Sequence, residues 1–225
     1  EEFSIPVEKF LEENGGIILP NPNAPTGKFL PLESIKIILK GNPNNIVIID
    51  EAYIDFGGES AIELISEFPN LLIIQTLSKS RCLAGLRLGY ALGHKELIEG
   101  LNRVKNSFNS YTIDRLALAG GTAAFIDRQY FQETRNKIIV TREKVSLYLK
   151  SIGFKVIDSK ANFIFISHPD IKAPVLFQKL RDNGVLVRYF NKTRIKDYLR
   201  VSIGTEKDMA IFMDITEKIL SQIKE

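Results

Sequence analysis

Residues 46–53 read Ile46-Val47-Ile48-Ile49-Asp50-Glu51-Ala52-Tyr53, a β-branched apolar run that ends abruptly in a charged and polar loop. A short apolar run of this kind is typical of a buried strand. Two similar runs, at residues 17–19 and 71–74, also end in polar loops, and helical patterns follow at residues 32–39 and 61–68. The alternation of strands and helices predicts a mostly parallel α/β sheet.

The second half of the chain has a different pattern. From Ile113 to about Leu149 the sequence predicts two helices, of which the second resembles a long connecting helix. Beyond Gly153 we predict strands at 154–157, 162–166, 185–189 and 198–203, and helices at 172–183 and 206–223. We therefore expect residues 1–145 to form part of a large α/β domain and residues 146–225 a small α+β domain, with the boundary inside the long helix.

The composition narrows the possible partners. The 225 residues are 44% hydrophobic and 25% charged, and the net charge of +3 is spread along the chain, so we expect neither nucleic acid nor a membrane surface as a partner. The apolar runs are too short to cross a bilayer. Cys82 is the single cysteine, which precludes an internal disulfide and favours a reducing cytoplasm. No residue pattern predicts a metal site.

The loops that follow the three apolar runs carry the unusual residues. They are Asn21-Pro22-Asn23-Ala24-Pro25-Thr26-Gly27, Asp50-Glu51-Ala52-Tyr53 and Thr76-Leu77-Ser78-Lys79-Ser80-Arg81, with Arg87 beyond the third. Because ligands of open α/β sheets bind outside the carboxyl ends of the strands, we expect these loops to line one cleft. Taken singly, each has an ordinary explanation as a turn, a helix cap or a solvated lysine. Their combination in this order is the informative feature.

These motifs resemble those of the fold-type I, pyridoxal-phosphate-dependent aminotransferases. The resemblance covers the whole chain and extends to Leu199-Arg200-Val201-Ser202. Within that superfamily the chain is most similar to the histidinol-phosphate aminotransferases, through Asp50 to Phe56, Leu83 to Tyr90, Ala161 to Phe163 and Ser202 to Thr205. The resemblance implies a large, mostly parallel-sheet domain and a small C-terminal α+β domain.

The resemblance also implies pyridoxal 5′-phosphate as cofactor. The residues that it implies for the cofactor are Asn23, Asp50, Tyr53, Thr76, Ser78, Lys79 and Arg87. Lys79 would hold the cofactor covalently and act as the catalytic base. Asp50 would keep the ring nitrogen protonated, and Tyr53 with Asn23 would bind the ring hydroxyl oxygen. The hydroxyl groups of Thr76 and Ser78 and the guanidinium of Arg87 would bind the phosphate.

For the substrate, the resemblance implies Arg200 as the anion-binding residue, reinforced by Arg188, with Asn162 as a further contact. The implied reaction transfers an amino group between histidinol phosphate and 2-oxoglutarate, with imidazole-acetol phosphate and glutamate as the products, in histidine biosynthesis. The same guanidinium would receive phosphate in one half-reaction and carboxylate in the other. The implied assembly is a homodimer.

The sequence departs from the family pattern in two places. Ala24 stands where the family has asparagine before Pro-Thr-Gly, with Asn23 one position earlier. The chain also enters an amphipathic helical pattern, Val7 to Asn14, almost at once. We therefore expect a piece of a longer polypeptide that lacks the N-terminal arm, the small-residue loop at the cofactor phosphate and the aromatic stacked on the ring. Weak cofactor binding would follow.

Three alternatives remain at this point. Another enzyme of the same fold, such as a threonine-phosphate decarboxylase or an aromatic aminotransferase, would use Lys79, Asp50 and Tyr53 identically. A nucleotide-hydrolysing domain would explain residues 46–51 as a Walker B strand, but Gly27-Lys28 is followed by Phe29 and no Walker A loop is present. A fragment that folds and dimerises without turnover is the third.

Overall fold

A computed structural model describes residues 3–224, so Glu1, Glu2 and Glu225 lie outside the described residues. The first sheet has four strands in the order β1-β2-β3-β4. They are β1 (Ile17–Pro20), β2 (Val47–Asp50), β3 (Leu71–Thr76) and β4 (Gly89–Gly93). β1, β2 and β3 are parallel and β4 runs antiparallel to β3, which confirms the predicted mostly parallel sheet.

One face of this sheet is covered by helix α1 (Leu32–Gly41) and by the short 3-10 helix Ala61–Ser66. The buried side of α1 consists of Ile35, Ile38 and Leu39, at the spacing that places residues on one helical face. The predicted helix at 61–68 is instead a 3-10 helix, Ala61–Ser66. It stops there because Pro69, which has no amide hydrogen, follows closely. The predicted helix at 7–14 is likewise a shorter 3-10 helix, Val7–Leu11.

The second sheet is antiparallel, with the order β5-β6-β8-β7. Its strands are β5 (Lys155–Ile157), β6 (Phe163–Ser167), β7 (Arg188–Tyr189) and β8 (Leu199–Ser202). Helices α5 (Ala173–Asp182) and α6 (Glu206–Lys224) contribute to the apolar core of this half. The strand predicted at 185–189 is reduced to two residues, because the amide of Val185 donates to the carbonyl of Leu180 and still belongs to the end of α5.

Three helices connect the two sheets: α2 (Lys95–Phe108), α3 (Arg115–Ile126) and α4 (Arg128–Ser151). The long helix α4 confirms the predicted connecting helix. Its last turns bury Val145 and Leu149 in the core of the second sheet, and its middle buries Arg142. The domain boundary that we predict at 145/146 lies within α4 and stays a prediction. Within the described residues, none of the helices combines the length and apolarity that a bilayer crossing needs.

Candidate functional site

The loop that follows β1 is held by its own polar side chains. Asn21 is fully buried, and its amide both donates to the Leu30 carbonyl (2.9 Å) and accepts from the Leu30 amide (2.8 Å). Asn23 is half-buried and donates from Nδ2 to Thr26 Oγ1 over 2.7 Å. Asn21 therefore fixes the loop, and the Asn23 amide is engaged within the loop through its nitrogen.

Two adjacent carboxylates at the end of β2 face opposite sides of the sheet. Asp50 is half-buried on the side away from α1, and its carboxylate accepts from the amide of Ala52 (3.0 Å). Glu51 is 2% exposed and accepts from Ser60 Oγ (2.6 Å), Gln75 Nε2 (2.7 Å) and the Ala61 amide. Burial raises the pKa of Glu51, and these hydrogen bonds offset part of the rise. Asp50 is thus the carboxylate available to a ligand.

The loop after β3 clusters hydroxyl groups beside a lysine. Thr76 Oγ1 lies 3.0 Å from Ser78 Oγ and accepts from the Ser78 amide over 3.1 Å. Lys79 is exposed, and its Nζ lies 5.4 Å from the centroid of the Tyr53 ring. Within residues 3–224 no carboxylate forms an ion pair with Lys79. The loops after β2 and β3 therefore bring a tyrosine and an uncommitted amine together.

The side chain of Arg87 bonds to the backbone of its own turn. The residue has a left-handed backbone (φ 54°), and its Nη1 donates to the Ala84 carbonyl at 2.9 Å. Its side chain is exposed, although Leu86, Leu88 and Tyr90 lie close to it in the sequence. The physical reason is that Arg87 ends the 3-10 helix Ala84–Leu86 and precedes β4, so its side chain is not enclosed by that strand.

The second sheet reaches the same region through an aromatic contact. The ring of Phe163 packs edge-on against Tyr53, with 5.1 Å between centroids. The guanidinium carbon of Arg200 lies 5.1 Å from the Phe163 centroid. Arg200 Nε is buried and has no hydrogen-bond partner within the described part of the chain. An unsatisfied buried donor is costly, so Arg200 is a strong candidate to bind a ligand.

Arg188 lies next to Arg200. The two residues are directly paired across β7 and β8, and both guanidinium groups lie against Phe190, at 5.5 Å and 5.6 Å from its ring centroid. Like charges directly opposite each other destabilise a sheet, and an anion between them would remove that cost. Asn162 is half-buried immediately before β6, where its carbonyl accepts from the Ile203 amide.

Sequence reasoning gave no role to three of the residues that shape this region. Phe163 and Phe190 lie against the arginines, and the sequence alone assigned a role to neither ring. Arg142 gave no signal, because an arginine in a predicted helix is ordinarily solvated.

Comparisons with known proteins agree on one family. The model of aminotransferases of class I and II matches residues 1–215. A histidinol-phosphate aminotransferase of Clostridium acetobutylicum is 63% identical over 214 residues, which are 95% of this chain and 61% of that protein. A crystal structure of the histidinol-phosphate aminotransferase from Clostridium acetobutylicum matches with a TM-score of 0.88 at 25% identity, covering 99% of this chain and 70% of the other.

A decarboxylase from Sulfurospirillum multivorans also matches, with a TM-score of 0.84 at 28% identity, over 97% of this chain and 67% of the other. The chain spans 61% to 63% of the length of the first curated relatives.

Proposed function

The chain belongs to the family of aminotransferases of class I and II, and from that premise we propose that it carries cofactor-binding and substrate-binding residues of a histidinol-phosphate aminotransferase. The observation that carries the proposal is the pair Arg188 and Arg200 on one sheet, linked through Phe163 and Tyr53 to Lys79 on the other. The curated relative at 63% identity is named a histidinol-phosphate aminotransferase.

The cofactor of this family is pyridoxal 5′-phosphate, which supplies an electron sink when the proton next to the substrate amine is removed. The side chains present fit this group. Lys79 offers an amine that has no ion pair with any residue from 3 to 224, Asp50 offers a carboxylate on the open side of the sheet, and Thr76 with Ser78 offers clustered hydroxyl groups.

Each of these residues has one task in the proposal. Nζ of Lys79 would hold the cofactor covalently and, as a free amine, would accept a proton and return it. The Asp50 carboxylate would hold a proton on the ring nitrogen by charge pairing. The Tyr53 hydroxyl would orient the ring hydroxyl oxygen, together with the second Nδ2 hydrogen of Asn23, since the first is donated to Thr26 Oγ1. Thr76, Ser78 and Arg87 would bind the phosphate, which requires the exposed guanidinium of Arg87 to turn from the Ala84 carbonyl.

The substrate side of the proposal rests on charge. A phosphate monoester carries about −1.5 to −2 charges near neutral pH, which two guanidinium groups match better than one. Arg188 and Arg200 therefore receive the phosphate of histidinol phosphate, and Arg200 receives the carboxylate of glutamate or 2-oxoglutarate in the other half-reaction. Asn162, beside Phe163, adds a neutral hydrogen-bonding group.

The assembly in the proposal is a cytoplasmic homodimer. Helices α2 and α3 and their connection carry large apolar side chains that are widely exposed within the described chain, among them Phe108 (83%), Tyr111 (94%) and Leu116 (81%). Apolar groups of this size and proximity are typical of protein interfaces. A second subunit would cover them.

Borohydride reduction followed by peptide mapping tests the proposal. Reduction in the presence of pyridoxal 5′-phosphate makes the covalent link permanent, so the label should appear on Lys79 and disappear in the Lys79→Ala variant. A label on Lys28 or Lys95 would contradict the assignment. With substrates, an amino-group transfer from histidinol phosphate supports the proposal, whereas release of carbon dioxide from a phosphorylated amino acid would favour a decarboxylase.

A further inference from the structure

Arg142 is buried where charged residues rarely are. It lies in the middle of α4, is 2% exposed, and is among the largest side chains that are fully enclosed. Enclosing a guanidinium is unfavourable unless its hydrogen atoms are bonded and its charge is paired. The contacts of the Arg142 guanidinium must therefore offset the cost of burying it.

The guanidinium joins two backbone segments that are far apart in sequence. Its Nη1 donates to the carbonyl of Phe56 and to the carbonyl of Ala161, each over 2.8 Å. Phe56 ends the turn that begins after Tyr53, and Ala161 lies two residues before Phe163. Arg142 therefore ties together the backbones that carry the two rings in contact, Tyr53 and Phe163.

The other two nitrogens of Arg142 also have a partner. Nε and Nη2 both donate to one carboxylate oxygen of Glu143, over 3.1 Å and 2.8 Å. Glu143 is 60% exposed, so this ion pair neutralises the buried charge while the carboxylate stays hydrated. The planar guanidinium is thus divided between a charge partner on its own helix and two carbonyls, a division that a lysine ammonium cannot reproduce.

We propose that Arg142 is a positioning residue that fixes the second sheet, through Phe163 and Arg200, relative to Tyr53 and Lys79. Arg200 contacts Phe163, and Phe163 contacts Tyr53, so a shift of the segment around Ala161 moves the anion-binding arginine away from the lysine. The inference that Arg142 holds these segments rests on geometry alone. Its consequence for activity rests on the proposed function.

Hydrogen exchange of the protein measures the positioning directly. In Arg142→Met the amides of Gly58 and Lys160, which bond to the Ile54 and Gly27 carbonyls, should exchange at least about tenfold faster, because both local segments lose a charge-assisted bond. Amides within β2 and β6 should keep their protection. Lys144→Met is the matched control, since it removes a solvated charge from the same helix and should change neither segment.

The conservative variant Arg142→Lys provides a second measurement if the methionine variant does not fold. We expect a smaller acceleration confined to the same two segments, because an ammonium can reach one carbonyl but not all three partners. Unchanged exchange at Gly58 and Lys160, or an equal acceleration there and within the strands, would overturn the proposal.

A kinetic measurement separates this inference from the proposed function. Arg142→Lys should raise KM for the phosphorylated donor by about tenfold, the equivalent of one weakened hydrogen bond to a charged group, while borohydride still labels Lys79. If KM is unchanged although both segments exchange faster, Arg142 holds the backbone without positioning Arg200, and the proposal is wrong. An unlabelled Lys79 in the unmodified protein contradicts the proposed function and leaves the exchange result standing.

Discussion

Gly27 and Gly184 form a matched pair for measuring how tightly the β1 loop is docked against the second sheet. Both have a left-handed backbone, with φ of 78° and 80°. A Cβ at Gly27 would lie 2.2 Å from Ser159 Oγ and 2.6 Å from Ser159 Cβ, whereas a Cβ at Gly184 would meet no atom within 4 Å. Alanine at the two positions therefore has the same backbone cost and differs only in the collision.

Ser159 cannot simply turn away from the added methyl group. Its hydroxyl donates to the Phe163 carbonyl (2.6 Å) and accepts from the Ala161 amide (3.1 Å). The left-handed backbone costs alanine roughly 1–2 kcal/mol, and overpacking adds about 1–3 kcal/mol. We expect Gly184→Ala to lower the free energy of unfolding by about 1–2 kcal/mol and Gly27→Ala to lower it by about 2–5 kcal/mol.

Urea unfolding followed by far-ultraviolet circular dichroism measures both values, and an unchanged slope with denaturant confirms that the unfolded states are comparable. Gly27→Ala should also impair substrate binding, because Ser159 holds the backbone of Phe163. Equal free energies of unfolding for the two variants would refute the reasoning, since they would mean that the Ser159 segment yields freely to the β1 loop.

Four other substitutions test the site and its surroundings. Because burial raises the pKa of Glu51, the folded protein resists ionising it: the stability that the neutral carboxyl provides below the ordinary value of 4.5 is lost as the pH rises through the folded pKa. Glu51→Gln should remove this fall. The stability difference between the wild type and the variant, measured by urea unfolding, should therefore shift against the wild type as the pH rises above 4.5. A pH-independent difference would contradict the ionisation argument. Arg200→Ala should weaken both half-reactions by about 2–5 kcal/mol, as measured by kcat/KM for each substrate. Arg188→Ala should lower kcat/KM for the phosphorylated donor more than for glutamate. Equal losses for the two substrates would mean that Arg188 is not selective for phosphate. Asn21→Ala leaves both backbone groups of Leu30 unpaired and buried, and should lower the free energy of unfolding by about 3 kcal/mol, whereas a loss below about 1 kcal/mol would mean that water replaces the amide.

The parallel strands were predictable because each is an uninterrupted apolar run. Val47 and Ile49 are fully buried, as are Leu71 and Ile73 on the neighbouring strand. β4 was not predicted: it is an edge strand that begins and ends with glycine and buries none of its residues. Helix α2 was not predicted either, and it too has no buried residue: within the described chain its apolar side chains are only partly covered, as at Leu101 (43% exposed) and Val104 (62%).

The candidate site, too, contains residues that a sequence rule places and residues that it does not. The approach of Lys79 to Tyr53 follows from one rule, that loops at the carboxyl ends of parallel strands converge. No comparable rule brings the second sheet to that edge, so Arg200 was identified by resemblance alone. Arg142 escaped both kinds of reasoning, because its burial depends on the packing of α4 against segments 86 and 19 residues away along the chain.

Some buried charged side chains of this fold have hydrogen-bond partners and Arg200 Nε has none within the described chain, and this difference supports a ligand site between the two sheets. Glu51 is buried but bonded to three donors, and Arg142 is buried but bonded to two carbonyls and a carboxylate. Arg200 has a buried Nε without a partner in residues 3–224 and a second arginine directly opposite. Arg135 Nε is likewise buried without a partner in that part of the chain, so the unpaired donor alone does not single out Arg200. The second arginine opposite Arg200 does, and an anion is the simplest group that would remove both the unpaired donor and the like-charge repulsion.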